Sequence, residues 1–146
     1  MTTYKLTHEG YVIRDGDTKV PTVDTPEWPN TNADYLAYKQ WLADGGVPLP
    51  PDPLSPQETF SAVQQAVQQR LDDFAQTRGY DGILSAATYV TSTVPKFAAE
   101  GQYAVGVRDA TWAACYQIMA DVQSGVRPLP TVSEVLAELP PLEWPQ

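Results

Sequence analysis

Cys115 is the chain's one cysteine and His8 its one histidine. A thiolate nucleophile needs an imidazole or another base beside it to work near neutral pH. His8 lies far upstream, in step with Tyr4 and Leu6 in what reads as a strand, and Cys115 stands in ATWAACYQIMADV among helix-forming apolar residues. The expectation is an ordinary strand residue at His8 and a small buried hydrophobe at Cys115. A lone cysteine also leaves no partner for an intramolecular disulfide or a thiolate metal cage. The carboxylates Asp72 and Asp73 fall on the polar side of a helical pattern and read as a solvated face. Arg78 with Asp81, and Arg108 with Asp109, interrupt apolar segments and read as ion pairs or caps. A glycine-rich phosphate loop, a nucleophile elbow, paired His or Cys ligands and a Ser-His-Asp set are all missing from the sequence. These residues predict no enzyme, no cofactor and no metal.

Binding chemistry is better represented. In PNTNADYLAYKQWLADGG, Tyr35, Tyr38 and Trp41 recur at helical spacing, with Asn30 or Asn32 as a cap and Gly45-Gly46 as the stop. A helix of about 12 residues does not hold itself together in water, so its aromatic face must bury against something. Large amphipathic side chains at this spacing are the composition of interface anchors. Tyr35, Tyr38 and Trp41 are therefore candidate partner-binding residues, with Trp144 a fourth in an exposed, proline-bounded tail, PPLEWPQ. A second kind of contact is suggested by Phe60, Val63, Val67, Leu71 and Phe74, which mark one narrow face of a helix at steps of three and four. Such a seam suits a coiled coil between copies of the chain, with a trimer as the first expectation, or else coverage by the helix over 95–124.

These residues must be positioned by elements that the sequence also indicates. Tyr4, Leu6 and Tyr11-Val12-Ile13, the turn Asp15-Gly16-Asp17 and the return Thr18-Lys19-Val20 predict a small β-hairpin element. Such an element is marginal alone and must add to a partner or to the helices that follow. After the aromatic helix, VPLPPDPLSP carries prolines that fix φ and lack N–H donors, so it reads as an extended spacer rather than a ladder strand. Ser55-Pro56-Gln57-Glu58 combines a cap, a first-turn proline and a capping box, and opens a helix over 56–77. Gly79 ends it, and Asp81 is placed to cap a short segment over 81–92. Pro95 opens the longest run, 95–124, with Tyr103, Val107, Ala110, Ala114, Ile118 and Val122 on one face. Gly101 and Gly106 each cost about 1 kcal/mol there relative to Ala, so a bend or break is expected. A box at Thr131-Val132-Ser133-Glu134 starts a last helix over 131–139. The fold class predicted is α+β, mainly α. Residues 1–46 form a β-hairpin and docking helix that depend on a partner, 47–55 a proline-rich spacer, and 56–146 a helical domain.

The composition narrows the partners. Among 146 residues there are 9 Lys+Arg against 18 Asp+Glu, a net charge of −9. Nucleic-acid binding relies on clustered basic side chains that release counterions, and none are clustered here. No apolar run approaches the roughly 20 residues of a membrane span, and MTTYKLTHEG lacks a signal-peptide core. Protein partners are what this surface suits.

Two stretches carry a family resemblance. NADYLAYKQWLADGGVPLPPDP resembles a segment common in small proteins of tailed-phage structural modules. The second half is similar to a C-terminal region of tail-fibre-associated and tail-assembly proteins, carried by Arg78-Gly79-Tyr80-Asp81, Ala87-Thr88-Tyr89, Glu100-Gly101 and Arg108-Asp109-Ala110-Thr111-Trp112. The resemblance implies a structural role beside a tail fibre, tail tip or baseplate, with phage tail or fibre proteins as partners and no active site. The implied location is the virion tail, after synthesis in the host cytoplasm. The alternative it leaves open is a chaperone that assists fibre assembly and then departs.

Overall fold

Alternating apolar residues build the first element. A computed structural model describes residues 1–145. In it, strands β1 (Tyr4–Leu6), β2 (Tyr11–Arg14) and β3 (Thr18–Pro21) form an antiparallel sheet in chain order. Val12 sits opposite Leu6 on β1 and Val20 on β3. The period-2 alternation then sends Tyr4, Val12 and Val20 to one buried face. His8 belongs to the turn between β1 and β2, not to a strand as expected.

Helix α1 (Ala33–Ala43) covers that face. Asn32 caps it by accepting the backbone N–H groups of Asp34 and Tyr35 at 2.9 and 3.2 Å. It ends in a Schellman turn, with Gly46 N–H donating to Trp41 O and Gly45 N–H to Leu42 O. Gly45 has φ of +90°, a region costly for other residues, and a Cβ on Gly46 would lie 2.3 Å from the Trp41 ring. The two glycines thus both stop α1 and let the chain pass beneath the indole. Tyr35 and Tyr38 are buried against Tyr4, Val12 and Val20, with Trp41 packed at the edge of the same cluster. The β element thus packs on the helix that follows it, one of the coverings expected of it: α1 supplies the missing layer.

The proline-rich stretch is also corrected. It does join the sheet, because Leu49, between Pro48 and Pro50, keeps its N–H. Leu49 N–H donates to Tyr4 O at 2.8 Å and Leu6 N–H to Leu49 O at 2.9 Å, a short parallel pairing on the free edge of β1. Asp52 pairs with Lys5, and its carbonyl lies 2.7 Å from His8 Nε2. The proline-lined edge offers few N–H groups for further pairing, which protects the sheet from edge-to-edge association. Residues 47–53 thus belong to the first of two compact units, Met1–Pro53, and Leu54–Gln146 form the second.

The second unit is helical: α2 (Pro56–Gln76), α3 (Ile83–Thr88), a 3₁₀ turn at Tyr89–Thr91, α4 (Pro95–Gln123) and α5 (Val132–Glu138). The chain is thus α+β and mainly α, with five helices and one small sheet among the described residues. Both capping boxes are formed, at Ser55 with Glu58 and at Thr131 with Glu134. Asp81 does not cap α3. Asp72 does so from α2, accepting the Ile83 N–H at 2.9 Å while Gln68 Nε2 holds both its oxygens at 3.1 Å. Asp72 is therefore structural, where the sequence suggested only a solvated carboxylate.

The apolar face of α2 is spent inside this unit. Val63, Val67, Leu71 and Phe74 are buried with Ile83 and Ala86 of α3, Ala104, Cys115 and Ile118 of α4, and Val135 and Leu139 at α5. Of the two expected coverings, a second copy or the helix over 95–124, the face meets the chain's own α4, joined by α3 and α5, and only Phe60 of the five remains half-buried. Cys115 is buried as expected, and desolvation raises its thiol pKa. Helix α4 runs unbroken through Gly101 and Gly106. Its buried stripe is Glu100, Gly101, Ala104, Thr111, Cys115 and Ile118, so Ala110 lies outside in solvent.

Because this core closes within residues 54–146, that fragment alone should be strongly helical and melt cooperatively. Circular dichroism on the fragment tests it; a weak, gradual signal would contradict a self-sufficient unit.

Candidate interaction surfaces

The aromatic residues range from those buried in the cores to Trp28, the most exposed of them among the described residues. Tyr35 and Tyr38 are each 8% exposed. The Tyr4 ring lies 4.8 Å from Tyr38 and 4.9 Å from Trp41, measured between centroids. This corrects their reading as partner anchors, because side chains that close the first unit's core have no free face to offer. Trp41 keeps a half-exposed edge, in a pocket with Thr3, Gly46 and Val47.

Trp144 is likewise no free tail residue. Its ring stacks on Phe74 with centroids 4.4 Å apart and planes inclined by 13°. The indole N–H donates to Phe74 O at 3.2 Å and to Thr77 Oγ1 at 3.0 Å. The Arg78 guanidinium lies 5.5 Å from the ring centroid, within cation–π range. The Tyr103 hydroxyl donates to Glu143 O, and Arg70 Nη2 donates to Pro140 O at 2.9 Å, so the last residues strap back over α2 and α4. An apolar groove of about 540 Å³ runs between the strap and α4, fronted by Ala99, Gly106 and Ala110 with Pro141 and Leu142. The small residues of α4 are thus split: Gly101 and Ala104 are buried, while these three border the groove.

The most exposed aromatic among the described residues is Trp28, at 81%. It closes a tight turn in which Thr25 and Trp28 exchange backbone hydrogen bonds at 3.1 and 3.3 Å, and Thr25 Oγ1 also accepts the Trp28 N–H at 3.1 Å. Pro26 and Pro29 stiffen the turn by fixing φ. Asp24 fastens its base, accepting the Asn30 N–H at 2.9 Å, the Tyr35 hydroxyl at 3.0 Å and Lys39 Nζ at 3.2 Å. Those donors, Asn30 first, hold the Asp24 carboxyl below its usual range. Burial and then Asp24 push the Tyr35 phenol up. A single carboxylate thereby ties the loop to α1, and the backbone that carries the indole has little freedom left to lose. Nearby in sequence, Val23 is 74% exposed.

Sequence periodicity could not select Trp28, since it lies on no helix or strand face. The available signal was its isolation: a large aromatic in the polar, proline-flanked stretch TVDTPEWPNTN, with no amphipathic face to join. Among the described residues no cluster of His, Cys, Asp and Glu could hold a metal ion, and no helix is long and apolar enough to cross a membrane. Neither a family model, nor a curated protein, nor a solved structure matches the chain.

Proposed function

We propose that the chain is a non-enzymatic structural component of a bacteriophage tail, associated with a fibre, the tail tip or the baseplate and acting through protein contacts in the virion. The phage context is supported by the resemblance carried by the Asn32–Pro53 stretch and by the motifs from Arg78 to Trp112. The contact mechanism is supported by one observation above the others, the exposed Trp28 on its fastened turn. An indole carried out of the core on an already ordered backbone costs little backbone entropy on docking, and tryptophan is among the residues that dominate interface energies. Glu27 beside it, and the net charge of −9, favour a receiving pocket with an apolar floor and a basic rim.

Trp28→Ala should weaken incorporation of the chain into particles by on the order of 2 kcal/mol, about thirtyfold, while leaving its melting temperature unchanged. Quantitative mass spectrometry of purified particles measures this. Stoichiometric wild-type peptides and depleted variant peptides are the expected result. Absence of wild-type peptides from particles that still need the chain for assembly would replace the virion component with an assembly chaperone.

A further inference from the structure

Within the second unit, the 3₁₀ turn and the start of α4 border a pocket of about 260 Å³, lined by Arg78, Tyr80, Tyr89, Lys96, Phe97 and Glu100. Its floor is a buried carboxylate. Glu100, 8% exposed, accepts Arg78 Nη1 at 3.1 Å through one oxygen and the Tyr80 hydroxyl at 2.6 Å through the other. Each oxygen has then accepted one hydrogen bond and keeps capacity for another. Burial, and next the bond to Glu100, push the Tyr80 phenol up to about 12, so Tyr80 stays a neutral donor. The walls are aromatic: Tyr89 stands edge-on to Tyr80 at 5.3 Å and to Phe97 at 5.8 Å. Tyr89 and Phe97 are each 40% exposed. Lys96 makes no hydrogen bond or ion pair among the described residues.

These groups make three separate demands on a ligand. Lys96 is an unspent cation beside an Arg78–Glu100 pair that is already neutral, so the pocket carries a local positive charge in a strongly acidic chain. It calls for an anion. Glu100 calls for donors, because a carboxylate can only accept. Exposed ring surface on Tyr89 and Phe97 calls for a flat, weakly polar C–H face against the electron-rich ring. A simple phosphate lacks the face, an aromatic acid lacks the donors, and a neutral sugar lacks the charge.

We propose that this pocket binds a pyranose that carries a carboxylate, a hexuronic acid or a residue of one in an acidic polysaccharide. The ligand carboxylate pairs with Lys96, ring hydroxyls donate to Glu100, and the sugar's C–H face lies on Tyr89 and Phe97. A volume below the usual span of about 300–1,000 Å³ for drug-sized ligands fits a single sugar ring. The site goes beyond the tail reading and does not depend on Trp28.

The test is an amide NMR titration of the full chain with sodium glucuronate, with glucose and sodium benzoate as parallel probes. Glucuronate should saturate shifts confined to residues around Arg78–Tyr80 and Tyr89–Glu100, and bind more tightly than either control. Lys96→Gln, a surface change that leaves the fold intact, should weaken glucuronate about fivefold, the upper range for an exposed ion pair, and leave glucose unaffected. Phe97→Ala should weaken both sugars. Glucuronate shifts that are absent, that glucose or benzoate reproduces at equal concentration, or that persist unchanged in Lys96→Gln would overturn the proposal. None of these results bears on the presence of the chain in particles.

Discussion

Leu71→Asp is expected to abolish the cooperative unfolding transition of the second unit. Leu71 is fully buried in the cluster that α2 shares with α3, α4 and α5. Truncation to Ala already costs about 2–5 kcal/mol at such a site, from lost transfer free energy and the cavity left behind. A carboxyl adds the penalty of a buried group whose charged form is strongly disfavoured. Together these approach the whole stability of a small domain, about 5–15 kcal/mol. The sign of the pH dependence is fixed by linkage. The folded interior raises the pKa of the new Asp, whereas the unfolded chain releases the proton at about 3.9, so the defect grows as pH rises through that value. Far-UV circular dichroism with thermal melting, at acid and neutral pH, measures both effects. Sedimentation equilibrium separates this outcome from its rival. A variant that stayed fully helical while an oligomer fell apart would return the α2 face to contacts between copies and contradict its burial within one chain.

That distinction marks where the sequence stopped being informative. Helical periodicity, capping boxes and first-turn proline are local properties, and α2, α4 and α5 were legible from them almost to the residue. What covers an apolar face is a long-range property. A seam of Val63, Val67, Leu71 and Phe74 looks the same whether a second chain or the chain's own α3, α4 and α5 lies across it. Tyr35 and Tyr38 were misleading for the same reason: an aromatic at an amphipathic position meets a core as readily as a partner. Trp144, on no periodic face, carried no local sign that it would stack on Phe74. Pro48, Pro50 and Pro51 pointed away from a sheet, yet one intervening Leu49 with its N–H sufficed for a short pairing. Asp72 as the cap of α3, and Glu100 as the floor of a pocket, depended on residues that lie beyond any local window. Trp28 is the converse case. Its membership of no periodic face was visible in the sequence, and no core reaches its turn, so its indole stays outside.

The two glycines of α4 should respond in opposite directions to the same substitution. Both cost the helix backbone entropy, and in a solvent-facing turn Ala recovers about 1 kcal/mol of that cost. Gly106 is such a position, since a Cβ built there meets nothing within 4 Å. Gly106→Ala should therefore raise the melting temperature of the second unit by about 5 °C. Gly101 is buried where α4 crosses the 3₁₀ turn. A Cβ there would lie 2.3 Å from Val90 N, 2.5 Å from Tyr89 C and 2.9 Å from Val90 Cα. These are backbone atoms, so no rotamer change relieves the clash; the turn must move away from α4. Overpacking of this kind costs about 1–3 kcal/mol, occasionally more, and outweighs the gain in helix propensity. Gly101→Ala should lower the melting temperature by about 10 °C. The displaced turn carries Tyr89, so the same variant should also disturb the pocket wall, read as amide shifts at Tyr80 and Phe97 without added ligand. Two substitutions that both stabilise would show that α4 does not pass this close to the turn. Two that both destabilise would show that Gly106 also faces a packed neighbour.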